Sequence, residues 1–403
     1  MRMKKAPRSL LVLLVAAMAS GPLFGYALSA SSAALIDHVG ISAGQLGWLA
    51  SISFVSAAVG SLGFGRLADR IGLSTQLVFI HGSSIISLVL AAAATDYWVL
   101  VLAAVFAGLP LATSNPTTNR ILARQVPPAQ RSSWIGTKQS GVQAAQLFCG
   151  LFFPAMTLWL GWAGAALGAA VIVGVLLVQS LTTLRAHPES TPSTEDSSAS
   201  QGDAAAASSQ LPSTVWFLAG ISLLSGAGMQ ATNVYLPLFA VESLGYGLVV
   251  GGLTAGLTGT VGVVSRILWS RRLQTGAKPT TLLLIIFVGA VASGLALLVA
   301  NLTGIRVLLW VGTALLGAST LGVNVVVNAT LLRVMPRARV GSATGVTSMG
   351  MFAGFAAGPI IMGAVRDLTG DFWLGWAIVA ALYATAFILT VILRVHHHTT
   401  RHA

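Results

Sequence analysis

The sequence has very little charge and almost no cysteine. Only 8% of its 403 residues are charged, and 55% are hydrophobic, whereas about 25% charged residues are usual in soluble domains. A chain of this composition belongs in a lipid bilayer. The single cysteine, Cys149, excludes an intramolecular disulfide, so the redox compartment cannot be read from the sequence.

Carboxylates are also scarce. None of the ten Asp and Glu residues lies in the core of an apolar run: Asp37, Asp96, Glu242, Asp367 and Asp371 map to outside loops and the rest to cytoplasmic segments. Proton relays in membranes usually use buried carboxylates. A coupling proton would therefore need His81, a boundary acid or the substrate's own proton. Whether the coupling ion is a proton or sodium stays open.

Motifs for other kinds of chemistry are missing. There is no Gly-x4-Gly-Lys-Ser/Thr loop, which argues against an ATP-driven pump. An integral-membrane enzyme would need convergent titratable groups or metal ligands, and the apolar runs do not supply them. We expect no enzymatic activity, cofactor or metal; the tail His396-His-His398 is interpreted as a solvated basic end.

Long apolar runs dominate what is present. A membrane-spanning helix needs about 20 mostly apolar residues, and twelve such runs are separated by short polar or Gly/Pro-bearing breaks. They lie near 9–31, 44–64, 76–94, 97–119, 133–155, 160–184, 213–238, 246–268, 280–300, 303–331, 341–364 and 372–393. The sequence predicts an all-α integral membrane protein with twelve transmembrane helices.

The basic residues indicate the orientation of the chain. When the loops are followed alternately, nineteen Lys and Arg fall on one side, and only Arg306 and Arg366 on the other. The positive-inside rule then places both termini in the cytoplasm, as expected for a multi-pass protein of the inner or plasma membrane. The net charge of +12 therefore reflects topology and not a nucleic-acid partner. The amino terminus also resembles a secretory signal peptide, but its apolar stretch continues to the length of a span.

The two halves of the chain resemble each other. With a shift of 209 residues, Asn115, Asn119, Arg124, Pro127 and Gly136 fall on Asn324, Asn328, Arg333, Pro336 and Gly345. We predict a six-helix half at 1–186, a flexible cytoplasmic linker at 187–212, a second half at 213–395 and a basic tail at 396–403. Two parallel six-helix repeats are the plan of a transporter that binds its substrate near the bilayer midplane.

The loop after the second run carries a specific motif. Gly65-Arg-Leu-Ala-Asp-Arg-Ile-Gly72 resembles the signature of the major facilitator superfamily, Gly-x-Leu-Ala-Asp-Arg-x-Gly-Arg-Lys, although Leu73 and Ser74 replace its last two residues. The resemblance implies the twelve-helix fold of that family and a conformational gate in this loop that includes Gly65, Asp69, Arg70 and Gly72. The alternative is a solvated turn.

A glycine pattern in the eleventh run gives a second, different indication. Gly345, Gly354, Gly358 and Pro359 follow the Gly-x8-Gly-x3-Gly-Pro spacing that the family's proton-coupled drug exporters carry in their fifth span. Glycines four residues apart let helices approach closely in lipid, so we add Gly354, Gly358 and Pro359 to the gate. Drug efflux by proton antiport is the alternative function. The fifth span of this chain departs from the exporter pattern.

The fifth run contains a lysine beside several amides. At about 100° per residue, Lys138, Gln139, Gln143 and Gln146 lie on one arc of a helix together with Cys149. Such an arc should face the protein interior or a water-filled cavity. We predict that these residues bind substrate and that Lys138 favours an anion. The alternative is that Lys138 snorkels to the cytoplasmic interface. Lys-Gln-Ser-Gly-Val also resembles the family's cyanate-permease-like branch, whose members are taken to move small anions.

Further polar residues are candidates for the same cavity. Asn115 and Asn119, like Asn324 and Asn328, are four residues apart and so share a helix face; interhelical hydrogen bonding is the alternative role. Asn233 and Tyr26 are weaker candidates, and His81 is a candidate proton site, although a packed neutral histidine is the commoner case. We expect a secondary transporter that moves a small organic solute by alternating access. Lys138 favours an anionic solute, and we expect the protein to function as a monomer. A signalling or scaffold role is not excluded.

Overall fold

A computed structural model describes residues 7–68, 71–186, 211–336 and 339–399. These residues form fourteen α-helices and one 3-10 turn, and the described part contains no β-strand. The helices are α1 (Arg8–Ser20), α2 (Leu23–Ala30), α3 (Ser32–Val39), α4 (Ala43–Ala68), α5 (Leu73–Ala92), α6 (Tyr97–Gln125), α7 (Pro128–Ala186), α8 (Ser213–Glu242), α9 (Leu248–Gln274), α10 (Pro279–Thr303), α11 (Val307–Ser319), α12 (Val323–Val334), α13 (Val340–Thr369) and α14 (Trp373–Thr399). The turn, Thr320–Gly322, joins α11 to α12.

Ten of the segments in the described residues are long and apolar enough to cross a membrane, and the bent pair α1 and α2 makes an eleventh. The twelfth span is contained in α7, which has 59 residues. At 1.5 Å per residue this helix would measure about 88 Å, nearly three times the hydrocarbon core of a bilayer. A break at Gly161, with φ 70° and ψ 175°, divides it into two spans. The predicted all-α, twelve-span architecture is therefore confirmed.

The first span is broken where the sequence analysis predicted one continuous run. The axes of α1 and α2 differ by 57°, and Gly21 and Pro22 lie between them. Proline has no N–H, so it cannot continue the ladder of hydrogen bonds at this point. Beside the break, the Ser84 hydroxyl of α5 donates to the carbonyl oxygen of Ser20 at 2.6 Å, which satisfies a backbone acceptor there.

Apolar side chains point outward in the manner expected in lipid. On α10, Ile285, Val288, Leu295, Val299 and Leu302 are exposed. Their spacing of three, four and seven residues places them on one helix face. Leu282, Leu283, Ile286 and Leu297 of the same helix are buried. This helix therefore presents one apolar face to its surroundings and another to the protein core.

The chain forms two compact units. The first contains α1 to α7 with residues 236–241 and 246–256, and the second contains the remaining described residues. In the first unit, one end of α1 packs into a core shared by α5, α6 and α7, which consists of Leu10, Leu13, Leu14, Ala17, Leu73, Leu77, Ile121, Leu122, Val126 and Leu184. In the second unit, α10 packs against α11 and α14. The predicted linker lies almost wholly outside the described residues, and α14 extends to Thr399, into the predicted tail.

Candidate substrate site around Lys138

Lys138 lies on α7 in the first unit, and its side chain is fully buried at 0% exposure. Its ammonium group donates hydrogen bonds to three side-chain oxygens on α6: Asn115 Oδ1 at 2.9 Å, Thr118 Oγ1 at 2.9 Å and Asn119 Oδ1. The ammonium therefore points toward α6 and does not extend to the cytoplasmic interface. The snorkelling alternative does not describe this structure.

Helix α6 supplies all three acceptors because the residues that carry them are about one helical turn apart. Thr118 and Asn119 lie three and four residues after Asn115, so each of them is a neighbour of Asn115 on the helix surface. The Thr118 hydroxyl donates in turn to the carbonyl oxygen of Ser114 at 2.6 Å, so its oxygen is available to accept from Lys138. Both asparagines were predicted from the sequence, and Thr118 was not. The same three-and-four spacing would have identified it.

Lys138 has no carboxylate partner in the part of the chain that the structure describes. An ion pair in the described residues joins Arg366 to Glu242 at 2.9 Å, far from Lys138 in sequence and in the other unit. A buried ammonium group without a counter-charge is costly unless hydrogen bonds compensate it. Here three neutral oxygens do so, and the positive charge is left without a balancing negative charge.

The remaining polar residues of the predicted arc also face inward. Gln143 and Gln146 are buried, and Cys149 is fully buried, while Leu147 and Leu151 of the same helix are exposed. Gln139 is half-buried, and its amide lies 3.5 Å from Asn115 Oδ1. The polar arc predicted from the sequence therefore faces away from the exposed leucines of α7.

The second unit has the corresponding asparagines but not the lysine. Asn324 and Asn328 lie on α12, exposed like Asn115 and Asn119 on α6. The repeat shift of 209 residues places Thr347 where the first half has Lys138, and the Thr347 hydroxyl bonds to its own helix. Asn233 is buried on α8. In the first unit, Tyr26 is half-buried on α2.

His81 belongs to a separate buried cluster in the first unit. Its Nδ1 lies 2.8 Å from the hydroxyl of Ser20 on α1, and its Nε2 lies 3.3 Å from the hydroxyl of Ser180 on α7. His81 is fully buried, as is Ser180. The cluster therefore ties α5 to α1 and α7, and the candidate proton site is a packed histidine in this structure.

The predicted gate residues of the second unit lie where two helices touch. A Cβ atom at Gly354 would overlap the carbonyl oxygen of Leu223 on α8, and one at Gly358 would overlap that of Ala227. Close approach of this kind needs glycine. The carbonyl oxygen of Pro359 accepts a hydrogen bond from the Tyr235 hydroxyl at 3.2 Å. These residues hold α13 directly against α8.

The predicted gate loop of the first unit is only partly described. Gly65 lies in the last turn of α4, and Gly72 precedes α5 with an extended backbone that any residue adopts. Asp69 and Arg70 lie outside the described residues. Arg120 at the end of α6 approaches the carbonyl oxygen of Ile71 at 3.5 Å, so this loop is in contact with the helix that carries the asparagines.

Comparison with known proteins gives the family. The sequence profile of the Major Facilitator Superfamily matches residues 12–359, which is most of the chain. The chain belongs to this superfamily. Together with its spans, membership makes the protein a multi-pass membrane transporter of the secondary type with a small-molecule substrate, and not an enzyme.

Solved structures support the fold. The crystal structure of the nucleoside transporter NupG superposes with a TM-score of 0.74 at 15% identity, covering 96% of this chain and 99% of that one. A bacterial homologue of the human lysosomal transporter Spinster, in an inward-facing and unoccupied conformation, superposes with a TM-score of 0.67 at 16% identity over 96% and 94% of the two chains. At these identities the likeness concerns the fold alone.

A partial sequence match points to a more specific relative. The Gentisate transporter of Corynebacterium glutamicum is 33% identical over 112 residues. The match spans 27% of this chain and only 24% of that protein's length.

Proposed function

We propose that this superfamily member moves a small carboxylate-bearing solute across the cell membrane by alternating access. The single observation that carries the proposal is the buried ammonium of Lys138, which has neutral oxygens around it and no carboxylate partner among the described residues. Charges inside membrane-spanning helices are expensive and mark functional sites. An anionic substrate supplies the missing negative charge.

Two further facts agree with an anion. Gentisate, the substrate named for the partly matching relative, is an aromatic carboxylate. In addition, Lys138 is the only lysine or arginine of the described residues that is completely buried, so it stands apart from the basic residues that follow the positive-inside pattern. A carrier of lipophilic cations would have no use for an unbalanced positive charge at this place.

The remaining parts of the proposal follow the architecture of the superfamily. Both termini lie in the cytoplasm, the chain works as a monomer, and the loop at Gly65–Gly72 together with the glycine contact of α13 acts as the gate. The substrate crosses with a coupling ion, a proton or sodium. The two repeats rock around one site, which exposes that site to each side of the membrane in turn. A protein that works in this way can exchange internal for external substrate without a net flux of the coupling ion.

The first test is ligand-dependent thermal unfolding of the purified protein in detergent. The ligands are gentisate, benzoate, the nucleoside uridine and the lipophilic cation tetraphenylphosphonium. A ligand at 100 times its dissociation constant stabilises the protein by about 2.7 kcal/mol. We expect stabilisation by a carboxylate that is lost in Lys138→Ala and retained in Lys278→Ala, because Lys278 is an exposed lysine at the start of α10.

Transport itself is tested by counterflow in proteoliposomes loaded with the stabilising carboxylate. We expect labelled substrate to accumulate transiently with the native protein and with Lys278→Ala, and not with Lys138→Ala. Stabilisation by uridine or tetraphenylphosphonium alone, unchanged in Lys138→Ala, would contradict the anion proposal. Stabilisation by tetraphenylphosphonium alone would favour efflux of lipophilic cations.

A further inference from the structure

We propose that the side-chain amide nitrogens of Asn115 and Asn119 are the groups that contact the substrate carboxylate, and that Lys138 is a positioning residue behind them. This inference rests on the proposed transport of an anion. It assigns the contact atoms, which the proposed function leaves open.

The ammonium group of Lys138 is enclosed by protein. Its side chain is 0% exposed, and an ammonium group has three donors and no acceptor. All three donors are accounted for by the oxygens of Asn115, Thr118 and Asn119. A ligand at the protein surface therefore meets the asparagines before it meets the lysine.

The ammonium group fixes the orientation of the two asparagine amides. A carboxamide has an acceptor oxygen on one side and an NH₂ donor on the other. Since an ammonium can only donate, it holds both Oδ1 atoms toward itself, and both Nδ2 groups turn away from it. Asn115 and Asn119 are exposed, and neither Nδ2 donates a hydrogen bond to any residue that the structure describes.

The two outward amide groups belong to a helix that is long and apolar enough to span a membrane. Both asparagines lie within the apolar span Tyr97–Gln125. Lipid cannot satisfy an amide at membrane depth, so exposed amides there must face water or protein. One helical turn separates them, with about 5 to 6 Å between Cβ atoms. The exposed face of α6 thus presents two donors one turn apart to an aqueous space.

The site therefore prefers an anion, although the anion does not touch the ammonium group of Lys138. Carboxylate oxygens are pure acceptors and match two outward NH₂ groups, and hydrogen bonds to charged groups are the stronger ones. The nearby positive charge favours the anion further, because little solvent screens it inside the protein. A neutral amide or an ammonium ligand brings donors of its own and is disfavoured.

The carboxyl-terminal repeat lacks this arrangement. Asn324 and Asn328 occupy the corresponding positions on α12, but the residues related to Thr118 and Lys138 are Val327 and Thr347. In the part of the chain that the structure describes, no ammonium group donates to these two amides. Both halves therefore carry the pair of asparagines, but only the first half carries the lysine that orients them. The inference concerns Asn115 and Asn119 alone.

The test compares benzoate with benzamide, which differ in the carboxylate. Dissociation constants are measured from the ligand dependence of thermal unfolding for the native protein, Asn115→Ala, Asn119→Ala and Lys138→Met. Ser140→Ala is the matched control, because Ser140 lies two residues after Lys138 and donates only to Thr137 of its own helix. Asn119→Ser, which keeps an oxygen but loses the amide, is the second variant if Asn119→Ala does not fold.

We expect each asparagine variant to bind benzoate about tenfold more weakly or worse, although Lys138 is intact, because a hydrogen bond to a charged group is lost. Lys138→Met should reduce the preference for benzoate over benzamide, since the freed amides can turn their oxygens outward. Ser140→Ala should bind like the native protein. A purely structural role of Lys138 would change stability and leave the benzoate preference unaltered.

Two results overturn the inference and are distinguishable from each other. If benzoate binding survives both asparagine variants and is lost in Lys138→Met, the lysine contacts the anion itself and the transport proposal stands. If no carboxylate stabilises the native protein, the proposed function fails and this inference fails with it.

Discussion

The two basic side chains that the described structure buries completely, Lys138 and His81, have different surroundings. Lys138 donates to the side-chain oxygens of an exposed pair of asparagines and of the buried Thr118. His81 is enclosed by serine hydroxyls, one at each ring nitrogen. A neutral imidazole has one donor and one acceptor, and hydroxyls satisfy both. His81 therefore has its hydrogen bonds without carrying a charge, which is the arrangement of a structural residue.

We predict that His81→Leu lowers the stability of the purified protein by about 1 to 3 kcal/mol, because the fully buried Ser180 hydroxyl loses its partner. Thermal unfolding in detergent measures the change. His38→Leu, at an exposed position of α3, is the control and should be close to neutral. If instead His81→Gln abolishes the pH dependence of uptake while counterflow persists, His81 is the proton site and the structural interpretation is wrong.

At the scale of helices, a row of glycines decides how α13 packs. Gly350, Gly354 and Gly358 are four residues apart, and a Cβ at each would overlap a backbone oxygen of α8. The repeat-related Gly141 on α7 meets the carbonyl oxygen of Val15 on α1 in the same way. In both units the first span of the half thus packs directly on the fifth span. In lipid, packing of this kind drives association, because apolar burial contributes little.

Gly354→Ala should destabilise the protein by about 1 to 3 kcal/mol or more, since the added methyl group meets backbone that cannot move alone. Gly345→Ala is the matched control in the same helix, where a Cβ would have nothing within 4 Å. It should be neutral or stabilising by up to about 1 kcal/mol, because alanine is the better helix former. Thermal unfolding of both variants gives the comparison. Equal effects at the two positions would show that the contact with α8 is unimportant.

Prolines show how far helix structure could be predicted from the sequence. Pro22 accompanies a 57° bend, whereas Pro110, Pro116 and Pro359 lie inside helices that continue past them. The residue type is the same in each case. Beside Pro22, the Ser84 hydroxyl donates to the carbonyl oxygen of Ser20. The spans were predictable from apolar length, but the broken first span was not.

At the scale of the whole molecule, charge and apolar length together predict the topology. Nineteen Lys and Arg fall on one side of the twelve spans and two on the other, and the positive-inside rule assigns the larger group to the cytoplasm. The native Cys149 is fully buried. New cysteines in the loops can therefore report the orientation with little background after Cys149→Ser.

We predict that a membrane-impermeant maleimide labels Ser243→Cys in intact cells and labels Thr275→Cys only after the cells are permeabilised. Both positions are exposed. Ser243 lies between α8 and α9 on the predicted outer side, and Thr275 lies between α9 and α10 on the predicted inner side. The reverse pattern would place both termini outside the cytoplasm. Uptake by each variant controls for correct insertion.

The sequence alone determined the spans, the duplication, the family and the polar face of α7, because each of these depends on local composition, period or spacing. It also placed Asn115 and Asn119 on one face of α6. Only the tertiary structure decided that these faces meet, that Thr118 completes the set of oxygens, and that Lys138 turns inward with no carboxylate partner among the described residues. A helical period tells which residues share a face. Which faces pack together depends on shape and hydrogen bonding between segments distant in the chain.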